Sequence, residues 1–177
     1  KLEGRIALVT GGGGAMGGAQ ARLFAQEGAA VAVADLFLEK AQAVADEITA
    51  AGGKAIAVQL DVVNSAQWAE AVATTERELG PISILCNNAG ANFRRSFDDQ
   101  TEQEWNIVIG SMLTGSFLGI KACIPSLRRA GGGVIINLGS LSSIRHGAGS
   151  PAYGVGKTGL IGLTRSAAAS YAGDNIR

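Results

Sequence analysis

Short apolar runs rich in β-branched residues alternate along this chain with longer stretches patterned for helices. Residues 5–10 (RIALVT) read as a buried strand and residues 15–27 as a helix. Residues 30–35 (AVAVAD) predict a second strand, residues 38–51 a helix, and residues 54–60 a third strand. A helix over 65–79, with Trp68 on its apolar face, stops at Gly80-Pro81. Residues 82–86 predict a fourth strand and residues 133–138 a fifth, with a last helix over 151–171. Between them, residues 101–129 read as one long helix or two abutting ones, and Thr101 stands at the capping-box spacing from Glu104. Strands that are apolar almost throughout, separated by helices, are what a parallel sheet covered on both faces requires. Right-handed crossovers then give a doubly wound, three-layer α/β/α arrangement. No Pro-, Ser- or charge-rich linker divides the chain, so residues 1–177 are expected to form a single domain without internal repeats.

Composition narrows the function classes. Of the 177 residues 47% are apolar and 17% charged, with 15 Lys+Arg balancing 15 Asp+Glu. This balance argues against a nucleic-acid footprint or an anionic membrane surface, both of which call for clustered positive charge. The longest unbroken apolar stretches, such as residues 29–34, are far shorter than the ~18 residues of a membrane span. Lys1 is followed closely by a strand-like run, so no signal peptide is expected. Cys86 and Cys123 lack close spacing and read as free thiols of a reducing compartment. With His146 the sole histidine, no ordinary zinc site is expected. A cytoplasmic, metal-free globular protein is the expectation.

The 26 glycines are about twice the usual ~7% share, and they gather at the ends of apolar runs. Residues 10–18 (TGGGGAMGG) end a strand and open a helix. A dinucleotide's pyrophosphate needs just such close backbone approach and the free N–H groups of a helix N-terminus; the alternative is a mere tight turn. A phosphate loop ending at Gly156-Lys157-Thr158 fails, because Pro151 stands where its leading glycine belongs and no strand directly precedes it. Asp35 ends the second strand eighteen residues after Gly17, where an acid can bond ribose hydroxyls; otherwise it caps the next helix. Its carboxylate would repel a 2′-phosphate, and Gly14, Leu36 and Phe37 offer no cation, although Lys40 is close. NAD is therefore favoured over NADP.

Several motifs in order resemble the short-chain dehydrogenase/reductase family, from residue 5 to the end of the chain. Residues 10–17 resemble its TGxxxGxG loop, with Ala15 in place of the middle glycine. Asp61-Val62 resembles the pair that contacts adenine, Asn87-Asn88-Ala89-Gly90 the NNAG motif, and residues 133–140 the strand that ends in the catalytic serine. Tyr153 to Lys157 (YGVGK) matches YxxxK, thirteen residues beyond Ser140. The resemblance implies a Rossmann fold and a catalytic set of Ser140, Tyr153 and Lys157. It also implies cofactor contacts from Gly11, Gly14, Met16, Gly17, Asp35, Asp61, Val62, Asn88, Ala89, Gly90, Tyr153 and Lys157. Ser140 would polarise the substrate oxygen, and Lys157 would also bond the nicotinamide ribose.

The chemistry can also be argued from the residues. Hydride exchange between nicotinamide and an alcohol carbon needs a group that moves the hydroxyl proton. A phenol with its ordinary pKa of about 10 is a poor base near neutrality. Tyr153 and Lys157 lie four apart on one helix face. An ammonium ~5 Å from the phenol oxygen, at an effective dielectric of ~20, is worth roughly 3 kcal/mol, about two pKa units. The expected activity is therefore NAD-dependent interconversion of a secondary alcohol and a ketone, with no metal.

One position departs from the family. Trp105, Val108, Gly115 and Phe117 fit its W-x-x-V-x-x-x-N-x-x-G-x-F pattern, but Met112 replaces the asparagine that supports a water relay from the catalytic lysine. Methionine offers no useful hydrogen bond, so proton exchange is expected to slow or reroute. The alternative is an NAD-binding module with little turnover, and a third class is epimerisation or dehydration of nucleotide sugars. Arg94-Arg95 could meet an acidic substrate or form a solvated loop pair, and His146 could line the substrate site or be a spectator. Gly156, Gly159, Gly162 and residues 167–169 give the last helix a small-residue face, which by resemblance joins subunits of a homotetramer or dimer. The chain ends at Asn175-Ile176-Arg177, where the family enters a sixth strand; a five-strand remnant would expose an apolar sheet edge.

Overall fold

The computed structural model describes residues 1–147 and 149–177. Five strands, β1 (Ile6–Thr10), β2 (Ala30–Asp35), β3 (Lys54–Gln59), β4 (Ile84–Asn87) and β5 (Val134–Asn137), form one sheet in the order β3-β2-β1-β4-β5. Every pairing is parallel. The helices are α1 (Ala15–Gln26), α2 (Leu38–Ala50), α3 (Ser65–Glu78), α4 (Glu102–Ile109), α5 (Gly115–Arg129) and α6 (Pro151–Tyr171). This is the doubly wound sheet that the alternating pattern predicts.

Strand alternation divides the core between the two faces. Ala7 and Val9 of β1, with Val31 and Val33 of β2, turn toward Ala21 of α1 and Ala41, Val44, Ala45 and Ile48 of α2. Leu8 and Ala32 turn the other way, toward Trp68 of α3 and Ile120, Cys123, Ile124 and Leu127 of α5. Trp68 is 1% exposed, and its indole N–H donates to the Val62 carbonyl at 2.9 Å, so its polar atom is satisfied inside the core.

Helix signals in the sequence act as expected. Asn64 caps α3, accepting from the Ala66 and Gln67 amides. The capping box of α4 is complete: the Glu104 amide donates to Thr101 Oγ1 at 3.1 Å, and the Thr101 amide to Glu104 Oε2 at 3.2 Å. The long helical stretch is continuous from Glu102 to Arg129, as expected, with a π turn at Gly110–Thr114 joining α4 to α5. The combined Glu102–Arg129 helix is long and apolar enough to cross a membrane by length and composition. No unbroken apolar run marks it in the sequence, since Glu104 and Lys121 interrupt the pattern. Its apolar side packs on the sheet and α3 instead.

Several strand bounds differ from expectation by a residue or two, and at the starts of β4 and β5 the hydrogen bonds show why. β4 begins at Ile84, because the Ile82 amide donates to Ser126 Oγ of α5 at 2.8 Å rather than to a neighbouring strand. β5 begins at Val134; Gly133 bridges to Ile176 instead, and the Ile135 amide donates to the Arg177 carbonyl at 2.8 Å. The outer edge of β5 thus already carries part of a sixth pairing.

Both cysteines are free and buried. Burial pushes the Cys86 thiol up to about 11, and burial together with the nearby Glu76 carboxylate pushes Cys123 up to about 12. Neither is a thiolate near neutrality, so neither should react with an aromatic disulfide reagent in the folded protein. Both should titrate once denaturant is added; rapid labelling of the native chain would contradict this burial.

Candidate active site

The strand order reverses between β1 and β4, and a cleft of about 1250 Å³ opens at the carboxyl ends of these strands. Gly11, Gly14, Met16, Gly17, Asp35, Asp61, Val62, Asn88, Ala89 and Gly90 all line it. Thr10, at the end of β1, ties its two halves together. Its Oγ1 accepts from the Asn88 and Ala89 amides at 3.1 and 3.0 Å and donates to the Cys86 carbonyl at 3.3 Å. Asn88 Nδ2 donates in turn to the Thr10 and Gly11 carbonyls at 3.0 and 3.3 Å. Residues 88–90 are thereby fixed against the glycine loop.

The loop itself tolerates little side chain. Gly11 has φ +62°, and a methyl group on Gly17 would lie 2.1 Å from the Gly11 carbonyl oxygen. α1 starts after Gly14 with no side-chain cap, which leaves first-turn amides available to an anion. Asn88 Oδ1 is buried with no partner, a second unused polar group. Asp35 is held at the end of β2, accepting from the Gly13 amide at 3.0 Å and the Phe37 amide at 3.1 Å. Asp61 accepts from the Val63 amide at 3.1 Å. An anion-receptive helix start, a fixed carboxylate one strand over and apolar walls at Leu36, Phe37, Val62 and Ile107 fit a dinucleotide in size and chemistry.

Tyr153 and Lys157 do not line this cleft. They lie one turn apart on α6, and Tyr153 lines a smaller cleft of about 340 Å³ with Asn92, Arg94, Ser142, Gly147, Ser150 and Gly154. Lys157 is 5% exposed, donates to the Leu138 carbonyl just beyond β5, and holds its amine 5.7 Å from the centre of the Tyr153 ring. Burial pulls its affinity for a proton below the usual lysine range. Among the described residues no carboxylate pairs with it. Ser140 opens a short 3-10 turn at Leu141–Ser143, where its Oγ accepts from the Ser142 amide at 3.1 Å. That turn is tied to α6 by Thr158 Oγ1, which donates to the Ser143 carbonyl at 3.1 Å.

Other candidates separate cleanly. Met112 lies in the π turn, 1% exposed, in an apolar cluster with Val108 and Ala152 on which Phe93, Trp105 and Tyr153 pack. A methyl group on Gly90 would lie 2.7 Å from its Cγ, so Met112 fills the space beside the 88–90 segment. Arg95 pairs with Glu104 at 3.1 Å, whereas Arg94 lines the Tyr153 cleft. His146 lies against α6, where Nδ1 would be 2.7 Å from a methyl group on Gly154. Of the small residues on α6, Gly159 admits Leu113 of the same chain, while open space surrounds Gly162. Asn106, Ile107 and Ser111 also line the large cleft, unforeseen in sequence; Ser111 Oγ accepts from the Ala91 amide at 3.1 Å. The one available signal was a serine beside Met112 on an otherwise apolar stretch.

A family model described as short chain dehydrogenase matches residues 5–177. The chain belongs to the short-chain dehydrogenase family. Over 177 residues this short-chain dehydrogenase is 38% identical to the 2,5-dichloro-2,5-cyclohexadiene-1,4-diol dehydrogenase of Sphingobium indicum, covering all of this chain and 71% of that protein. It is 36% identical over 183 residues to the trans-4-hydroxycyclohexanecarboxylate dehydrogenase of Sinomonas cyclohexanicum, covering 100% of this chain and 70% of that one. A crystal structure of a short-chain type dehydrogenase/reductase from Mycobacterium marinum superimposes with a TM-score of 0.94 at 33% identity, covering 100% of this chain and 73% of the other. Short-chain dehydrogenases are oxidoreductases that typically take a nicotinamide cofactor and small alcohols.

Proposed function

We propose that this short-chain dehydrogenase oxidises a secondary alcohol on a carbocyclic skeleton to the ketone, with NAD as hydride acceptor. The observation that carries the reading is Lys157: a buried amine, facing the ring of Tyr153, with no carboxylate partner among the described residues. A charged amine in such a place is costly unless it has work to do. The two relatives named above are dehydrogenases of ring alcohols, which supports the carbocyclic substrate.

Bound NAD would supply the hydride acceptor at C4 of its nicotinamide. The hydroxyl proton of the substrate passes to the phenol oxygen of Tyr153 as the carbon–hydrogen bond breaks. That proton must leave to solvent before the next turnover, and the Lys157 ammonium, 5.7 Å from the ring centre, favours its departure. Ser140 accepts a backbone amide at Oγ, which leaves its own hydrogen free to hold the substrate oxygen. The first turn of α1, uncapped by any side chain, receives the pyrophosphate.

Preference for NAD rests on Asp35. Its carboxylate is pinned by two amides at the cleft wall and would face a 2′-phosphate with like charge. Lys40, a nearby cation, lies over the Phe37 ring at 4.5 Å. The expected result is NADH formation with ring alcohols at a rate well above NADPH formation. In Asp35→Ser the ratio of kcat/KM for NAD over NADP should fall by about tenfold or more, the scale of removing one like-charge contact. An unchanged ratio would overturn the role of Asp35.

A further inference from the structure

Two adjacent arginines meet different fates in this fold. Arg95 is engaged, its Nε donating to Glu104 Oε1 at 3.1 Å. Arg94 has no carboxylate partner among the described residues and lines the same small cleft as Tyr153. The rest of that lining, Asn92, Ser142, Gly147, Ser150 and Gly154, is polar or small and contains no acid. The neighbouring Asp99 is occupied with Ser96, and Asp98 lines neither cleft.

The position of Arg94 is set by the fold. The Arg95 amide donates to the Gly149 carbonyl at 3.0 Å, Ser150 Oγ donates to Asn92 Oδ1 at 3.1 Å, and the Ala152 amide donates to Gln100 Oε1 at 2.9 Å. These three bonds tie the segment carrying Arg94 to the start of α6, whose third residue is Tyr153. The N-terminus of α6 adds the positive end of a 21-residue helix to the same cleft.

We infer that the alcohol substrate carries a carboxylate, gripped by Arg94 while its hydroxyl group meets Tyr153. This rests on the dehydrogenase reading above and specifies its substrate class as a hydroxy acid. A planar guanidinium matches a carboxylate through two parallel hydrogen bonds, and Asn92 Nδ2 and Ser142 Oγ can serve its remaining lone pairs. One guanidinium with no second cation in the lining suits a monoanion better than a phosphate dianion.

The test compares kcat/KM for a hydroxycyclohexanecarboxylate and for its methyl ester, a neutral compound of nearly the same shape. The protein should prefer the acid by about tenfold or more, the usual scale of a charge-assisted hydrogen bond, and added salt should shrink that preference. Arg94→Gln should bring the ratio close to one and Arg94→Lys should restore part of it, while Arg95→Gln should keep it. Equal use of acid and ester, or a preference that survives Arg94→Gln, would overturn the inference. If neither compound is oxidised, the dehydrogenase reading fails, and calorimetric binding of cyclohexanecarboxylate in the presence of NAD judges the carboxylate site alone. Binding weakened about tenfold by Arg94→Gln supports the site; no binding, or binding indifferent to Arg94, refutes it.

Discussion

Tyr153→Phe should lower kcat for alcohol oxidation by about a hundred- to ten-thousandfold, the range for removing a positioned acid–base group. The change deletes one oxygen and keeps the ring. That ring packs on the cluster of Val108, Met112 and Ala152 and faces the Lys157 amine, so neither contact depends on the hydroxyl. The fold should accordingly be unaffected. Affinity for NAD should fall by less than about tenfold, the cost of one neutral hydrogen bond at most. Steady-state rates combined with calorimetric NAD binding separate the two effects. A variant that binds NAD normally and turns over as fast as the parent would remove Tyr153 from the mechanism.

Lys157→Met should abolish turnover to a similar extent while leaving the protein at least as resistant to heat. Burial holds the lysine's affinity for a proton below its ordinary value of 10.5, so the folded state disfavours the charged amine. At neutral pH and below, the folded chain bears the full cost of a buried ammonium whose hydrogen-bond acceptor is the Leu138 carbonyl. As pH rises through the folded-state pKa toward 10.5, the folded chain sheds this proton first and regains stability relative to the unfolded chain. The methionine variant has no such cost, so its advantage should be largest at neutral pH and shrink as the pH climbs. Each kcal/mol corresponds to about 2–4 °C in Tm for a domain of this size. Thermal melts from neutral to strongly alkaline pH read this directly. A variant that melts lower at neutral pH, with the gap widening in alkali, would mean the amine is structural.

How much of this was legible in the sequence varies with the range of the interactions. The sheet was readable because β1 and β2 carry apolar residues on both faces, a pattern that few arrangements other than a covered parallel sheet accommodate. The glycine loop was readable because its constraints are local: Gly11 and Gly17 meet within a single turn. The ten expected cleft residues lie at or just past the ends of β1 to β4 or on the helix start that follows β1, which parallel topology gathers at one edge. Asn106, Ile107 and Ser111 were not legible, since their approach to the cleft depends on how α4 and the π turn are placed by their packing on α6. The π turn was equally silent, its residues reading as plain continuation of a helix. The separation of Arg94 from Arg95 depends on Glu104 meeting the Arg95 side chain and Gly149 its amide, which no spacing encodes. Met112 was noticed as a missing hydrogen-bonder, but its packing against the 88–90 segment and Tyr153 emerged only with the fold.

The central claim is that a Tyr153 phenolate steadied by Lys157 takes the hydroxyl proton while the carbinol carbon gives up hydride to NAD. It is tested most directly with a ring alcohol, such as a hydroxycyclohexanecarboxylate, deuterated at that carbon. The account predicts deuterium on C4 of the recovered NADH, transferred by the parent protein and lost to background in Tyr153→Phe. Tight NAD binding without label transfer from any alcohol, or transfer undiminished in Tyr153→Phe, would contradict it.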